Sequence, residues 1–299
     1  MPGYAYTRSG AKQELLASAG GVSSSFAANV PGIVSGVGYY SWATATNLLL
    51  NAGQSSNLST QNITTTAQAY TLSFLGTGTV TLSGTSVAGP LVGTGANNQV
   101  SLTFTPTAGT LTLTVTGNVT YSGLVAGSVT GPIIATAGVT ATTGSDRLSA
   151  TVLAAALTDQ DMLFIVDNTI QANPGGFSFQ IDNGTQAISI LLFNAGTWRV
   201  WDPALQYNAG AAAEAVGVRH VRVLRRLSGN WRGGKVVGGV LTWAGVDTAG
   251  TMPAGLVNVR VGVDDSVISL NGSIAGVSIK NATYSSDAAV LAAVAATGF

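Results

Sequence analysis

The sequence predicts an all-β protein: two jelly-roll-like β-sandwich domains, preceded by an extended N-terminal arm and closed by a short C-terminal helix. Three observations lead there. Between Tyr70 and Leu124, Thr and Ser alternate with Leu, Val and Phe at a period of two, which puts apolar side chains on one face of antiparallel strands and hydroxyls on the other. Glycine-rich breaks then recur every eight to twelve residues or so, the spacing of sandwich strands. Finally, no charged residue stands between Glu14 and Asp146, and charges return at Asp146. This shift in composition marks a domain boundary, giving an arm at 1–52, an uncharged sandwich at 53–130 and a second sandwich at 131–299.

The arm is read as extended because Gly20, Gly21, Pro31, Gly32, Gly36 and Gly38 break any long element. One helical turn is expected at Lys12–Ala17. Tyr39, Tyr40 and Trp42 would anchor the end of the arm against an apolar surface, either the neighbouring sandwich or another subunit.

In the uncharged sandwich, strands are expected at Gln61–Ala67, Tyr70–Leu75, Thr79–Ser83, Gln99–Thr105, Thr110–Thr116 and Val119–Val125. A tight hairpin is expected at Thr116-Gly117-Asn118. The inward set runs through Tyr70, Leu72, Phe74, Val80, Leu82, Val100, Leu102, Phe104, Leu111, Leu113, Val115, Val119 and Tyr121.

The second sandwich is predicted from strands at Met162–Asp167, Gly176–Asp182, Ala187–Asn194, Thr197–Asp202, Val218–Leu227, Lys235–Thr242, Asn258–Val263 and Ser273–Asn281. Ser285 or Ser286 caps a helix over Asp287–Ala296.

Composition narrows the function. Only 8% of residues are charged and the net charge is zero, against roughly 25% charged residues in an ordinary soluble protein. Attraction to nucleic acid is therefore not expected. No apolar run reaches the roughly 18 residues of a membrane span, and no membrane insertion is expected. Without cysteine there is no thiolate ligand or thiol nucleophile. The strands also lack the Lys and Glu that guard sheet edges, so a homo-oligomer is expected to cover them.

Catalysis is not expected. Glycan hydrolysis needs two carboxylates flanking the scissile bond, whereas the two glutamates, Glu14 and Glu214, lie in the arm and in an Ala-rich loop. Asp159, Asp161, Asp264 and Asp265 read as turn carboxylates or as oxygen ligands for calcium. His220 stands alone, which argues against zinc. No catalytic residue, metal site or cofactor is assigned.

The suggestive stretch is Arg219–Lys235, which holds six of the twelve basic residues. On a strand, Val221 and Val223 would face in while His220, Arg222 and Arg226 face out. Trp198, Trp201, Tyr207 and Trp231 lie near it in sequence. Aromatic platforms stack on sugar rings and arginines bind carboxylates in bidentate fashion. Trp198, Trp201, Tyr207, Arg222, Arg226 and Trp231 are therefore the expected acidic-glycan site, the alternative being a solvated sheet face over a tryptophan core.

Several segments together resemble phage virion proteins of the head-spike or fibre type. They are Tyr6-Thr-Arg-Ser9, Thr46-Asn-Leu-Leu-Leu-Asn51, the uncharged sandwich, and the close of the chain from Leu270-Asn-Gly-Ser-Ile274 into the terminal helix. In that family the uncharged sandwich is similar to carbohydrate-binding modules, and a concanavalin A-like (laminin G-like) lectin domain follows it. This sequence departs from the pattern by carrying neutral VPGIVSGVGYYSWATA where relatives have a charged stretch. The resemblance implies a virion-surface fibre or spike, probing host cell-surface polysaccharide as a trimer. It also implies attachment to capsid or tail proteins through the arm, with Tyr6, Arg8, Tyr39, Tyr40 and Trp42 as contacts. A capsid decoration protein without sugar binding, a tail fibre and a glycan depolymerase are the alternatives.

Overall fold

The computed structural model describes residues 5–7, 12–15, 22–26, 33–34, 38–42, 44–128, 132–143, 147–151, 157, 160–170, 176–193, 197–209, 217–262, 270 and 272–298. At 5–41, 97, 147–151, 193 and 209 it describes the backbone only. The protein is all-β, with antiparallel pairing between the strands of both sandwiches and, among the described residues, one helix, at the C-terminal end. The chain folds into two units that do not follow the expected boundaries at 52 and 130. One comprises Arg8–Gly36 and Thr44–Ser145; the other comprises Met1–Thr7, Val37–Ala43 and Asp146–Phe299.

The uncharged unit is a sandwich of a four-stranded sheet, in the order Leu91–Val92, Thr79–Gly84, Gly109–Thr116 and Gln61–Thr65, and a three-stranded sheet, Gly95–Phe104, Tyr70–Gly76 and Val119–Ala126. Leu72, Phe74, Phe104, Val80, Leu111 and Leu113 meet between the sheets. Outward-facing Thr81, Ser83, Thr110 and Thr114 stay exposed, as the alternation requires.

Two details differ from expectation. Gly117 takes the positive φ of a tight turn (73°), but Gly109–Thr116 and Val119–Ala126 belong to opposite sheets. The turn therefore carries the chain across the sandwich instead of closing a hairpin. Tyr121 leaves the expected inward set because the register slips between Thr120 and Gly123. The slip inverts the alternation and Leu124 takes the core position.

Asn47, 1% exposed, ties this unit together. Its amide nitrogen donates to the carbonyls of Ser122 (3.1 Å) and Ile134 (2.8 Å), and its oxygen accepts from the amides of Leu49 (3.2 Å) and Leu124 (3.0 Å).

The charged unit stacks two larger sheets. The first runs Ala5–Thr7, Arg147–Thr151, Asn258–Val261, Phe177–Asp182, Ser189–Phe193, Trp198–Asp202 and Ala204–Ala209. The second contains, in order, Val240–Ala249, Asn230–Val237, Arg219–Leu227, Met162–Ile170, Gly272–Lys280 and Gly38–Ser41. Phe164, Leu224 and Trp231 of the second sheet pack on Phe179, Ile181, Trp198 and Val200 of the first. On its other face the second sheet carries the C-terminal helix, Asp287–Ala295, through Leu163, Ile165, Val223, Val290 and Val294. Ser286 caps that helix, its hydroxyl accepting from the Ala289 amide at 3.2 Å. With both faces covered, the central strand Met162–Ile170 is buried almost throughout.

The arm is corrected in the same way. Tyr6 sits in the strand Ala5–Thr7, opposite Leu148, while Tyr39 and Tyr40 pair with Ile274 and Ser273. Trp42 is buried, and Arg8 lies outside the described residues. Tyr6, Tyr39 and Tyr40 thus belong to strands of the charged unit. The expected helical turn at Lys12–Ala17 is a strand, Lys12–Leu15, paired with Val22–Phe26. A helix of one turn has too few internal hydrogen bonds to offset its nucleation.

Candidate functional site

The pleat of the strand Arg219–Leu227 divides the basic stretch between two environments. His220, Arg222 and Arg226 share the face of Leu224, toward the first sheet; Arg219, Val221, Val223 and Arg225 share the helix-bearing face. The expected outward set is thus buried: His220 is 8% exposed, Arg222 2% and Arg226 5%. Arg226 lies 5.5 Å from the ring centre of Trp231 and donates to the Gln160 carbonyl (3.0 Å).

The expected stacking platforms are core residues. Trp198 and Trp231 are essentially inaccessible, each with Phe164 at about 6.5 Å between ring centres. Tyr207 is buried as well: its hydroxyl accepts from the Gly233 amide (2.5 Å) and donates to the Ala244 carbonyl (3.3 Å), joining the two sheets. Burial pushes its phenol above the usual range. Of the expected aromatics only Trp201 keeps a part-exposed ring. The six residues therefore do not assemble into one open site.

The helix-bearing face has a different arrangement, centred on Trp243. The Arg225 guanidinium lies 4.8 Å from its ring centre and that of Arg232 at 5.2 Å, while the indole N–H donates to Asp287 Oδ1 at 2.8 Å. The ring lies over Gly234, where a Cβ would come within 2.9 Å of it. Trp243 is part-exposed.

Arg225 and Arg232 are directly opposed across the strands, an arrangement that costs repulsion unless it is compensated. Asp247 provides part of the compensation, with Oδ1 3.0 Å from Arg225 Nη2. A bulge opposite Arg232 aims this carboxylate, and Arg232 Nε donates to the carbonyl of the bulge residue Gly245 (3.3 Å). Arg232 forms no ion pair among the described residues, so its terminal N–H groups remain available on a part-exposed fork. This arrangement can accept a carboxylate or sulfate beside an indole surface.

Sequence reasoning missed Trp243. The usable signal was the pair Gly238-Gly239, with φ of 56° and 78°, which closes the hairpin between Asn230–Val237 and Val240–Ala249. The expected single strand Lys235–Thr242 runs across that turn. Counting outward from it sets Trp243 opposite Gly234.

Asp161 serves structure: it accepts from the Ser228 amide (2.7 Å) and the Thr283 hydroxyl (2.9 Å). Asp159, Asp264, Asp265 and Glu214 lie outside the described residues. Among the described residues, no three His, Asp or Glu side chains converge in a metal-binding group.

No protein-family model and no curated protein matches the chain. Similar solved structures include the NanB sialidase of Streptococcus pneumoniae bound to 2-[(3-chlorobenzyl)ammonio]ethanesulfonate (17% identity, TM-score 0.38, covering 48% of this chain and 26% of that one). Mouse laminin α1 domains LG4-5 are 13% identical (TM-score 0.32, covering 89% and 92%). The extracellular region of zebrafish Gpr126/Adgrg6 is 8% identical (TM-score 0.30, covering 83% and 37%). This chain thus spans about a quarter of the sialidase structures. The expectation of a non-enzymatic protein is corrected here, because an enzyme stands among the similar structures. That expectation leaned on carboxylates of which Asp159, Asp264, Asp265 and Glu214 lie outside the described residues.

Proposed function

We propose that this protein binds acidic glycans on the helix-bearing face of its charged sandwich, as a surface component of a tailed-phage or phage-like particle. The observation that carries the glycan half is the Arg232–Trp243 pair. A guanidinium fixed at Nε by the Gly245 carbonyl keeps its terminal donors available beside a part-exposed indole. A sugar carboxylate would accept from Arg232 while the pyranose ring lies against Trp243. The part-exposed Trp201 offers a second aromatic contact on the first sheet.

The particle half rests on the sequence resemblance and on the uncharged strands, whose edges a homo-oligomer, a trimer in this reading, would cover. Multiple copies would turn weak sugar contacts into avidity for host polysaccharide. A capsid decoration protein is the reading to hold if no glycan binds.

The test is an array of uronic-acid-containing, sulfated and neutral polysaccharides probed with wild type, Trp243→Ala and Arg232→Gln, with reducing-end release measured in the same incubations. Binding to acidic glycans that both substitutions reduce at least tenfold is expected. Absence of binding by the wild type, or binding that neither substitution changes, overturns the assignment.

A further inference from the structure

Beside the C-terminal helix lies a cavity of about 500 Å³, apart from the Trp243 cluster. Its walls are Val221, Val236, Val237, Leu291 and Val294, with the Gly238-Gly239 turn at one side, and among the described residues its one charged lining residue is Arg219. That volume is in the range of small-ligand pockets, which combine apolar walls with a few oriented polar groups.

Arg219 is already held from one side. Its Nε donates to Asp167 Oδ1 (2.9 Å) and Oδ2 (3.0 Å), and its Nη2 donates to Oδ2 (2.5 Å), with Asp167 fully buried. The Arg219 side chain is 55% exposed, and with Nε and Nη2 turned to Asp167 the edge bearing Nη1 is held in a fixed direction.

We propose that this cavity is a subsite for the acetamido group of an N-acetylated sugar, an inference that rests on the glycan-binding reading above. The methyl group would sit among Val221, Val236, Leu291 and Val294, and the carbonyl oxygen would accept from the outer edge of Arg219. Three features select this chemistry. Among the described residues no aromatic ring lines the cavity, so it is not a stacking platform for a pyranose face, whereas aliphatic walls suit a methyl group. Asp167 already neutralises Arg219, which removes most of the attraction for an anion. Val294 and Ala295, from the last turn of the helix, also line the cavity, and that turn carries no basic residue. The negative end of the helix dipole therefore disfavours a carboxylate and leaves a neutral carbonyl as the matching acceptor.

The experiment titrates the full chain, with its valine methyl groups isotopically labelled, with the methyl glycosides of N-acetylglucosamine and glucose and with N-propylacetamide. Expected are shifts of the Val221, Val236 and Val294 methyl signals with the acetamido sugar, and at least tenfold weaker binding of the glucoside. Leu291→Trp, which fills the cavity from the helix, is expected to abolish the response. Arg219→Lys, which keeps a charge beside Asp167 but loses the planar fork, should weaken it at least fivefold. Equal response to the glucoside, no response to N-propylacetamide, which carries the same acetamido group, or insensitivity to both substitutions overturns the proposal. Acidic-glycan binding is measured on the same variants: it should survive Leu291→Trp and fall with Trp243→Ala, so the two readings fail separately.

Discussion

Replacing Asn47 with alanine tests whether one buried amide holds the uncharged sandwich together. The side chain makes four hydrogen bonds, all to backbone groups. Alanine would leave two carbonyls and two amides without that partner around a residue that is itself only 1% exposed. At about 1 kcal/mol net for each bond, the loss comes to about 4 kcal/mol. A water entering the vacated space could return about 1 kcal/mol of it. The remainder is a large fraction of the roughly 5–15 kcal/mol by which domains are stable. The assay uses a convenience of composition: Trp42, Trp198, Trp201, Trp231 and Trp243 all lie in the other unit. Tryptophan fluorescence therefore follows the charged unit, while amide exchange at Leu49 and Leu124 follows this one. Asn47→Ala should speed exchange at both amides by about two to three orders of magnitude, each factor of ten being about 1.4 kcal/mol. Asn47→Asp keeps the acceptor, so those two amides should exchange more slowly than in the alanine variant. Exchange in Asn47→Ala within tenfold of wild type would refute the reasoning.

Trp231→Ala should destabilise the charged unit by about 3–5 kcal/mol, because it removes a fully buried indole; Trp243→Ala should cost only about 1–2 kcal/mol, the worth of its Asp287 bond and guanidinium contacts. Denaturant unfolding followed by fluorescence checks both, and similar losses would contradict the assignment of one to the core and the other to the site. Asp182, fully buried, accepts from Arg260, Asn258, Gln180 and the Gly184 amide. Asp182→Ala should cost about 3–5 kcal/mol by leaving Arg260 uncompensated, and a loss under 1 kcal/mol would argue against this. Burial, and then the charges of Arg222 and Lys235, lower the pKa of His220, so the unfolded chain binds its proton more tightly. Stability from this group is complete above the unfolded pKa of about 6.5 and is lost as pH falls toward the lower folded value. The thermal midpoint should drop across that window in wild type and drop less in His220→Leu; parallel profiles would refute the assignment.

The two units differed in legibility for one physical reason. In the uncharged sandwich strands such as Thr79–Gly84 and Gly109–Thr116 have one covered and one more open face, so polarity alternates with the pleat and Val80, Leu82, Leu111 and Leu113 announce their positions. The pattern misled where a bulge inverted the phase, at Tyr121, and along Tyr70–Gly76, where Thr71, Ser73 and Leu75 on the second face are buried as well. In the charged unit the second sheet is covered by the other sheet on one side and by the helix on the other. Charge no longer marks an outward face there, and Arg222 and Arg226 lie inside alongside Leu224. Tryptophan is equally ambiguous, serving as core at Trp198 and Trp231 and as part-exposed surface at Trp243. The sites of Ala5–Thr7 and Gly38–Ser41 were illegible because their partners, Arg147–Thr151 and Gly272–Lys280, lie more than a hundred residues downstream and leave no local mark.

That last pairing sets an order of events. During synthesis the strands Ala5–Thr7 and Gly38–Ser41 emerge early, yet Gly38–Ser41 can pair with Gly272–Lys280 only once that strand has been made. The uncharged unit, contained within Arg8–Ser145, is free to close first. Its completion would hold the two waiting strands as tethered ends while the charged sandwich assembles around them. Contacts at such long sequence separation fold slowly. The edges of Arg147–Thr151 and Gly272–Lys280 stay open meanwhile, and a fragment beginning at Asp146 would leave them open permanently.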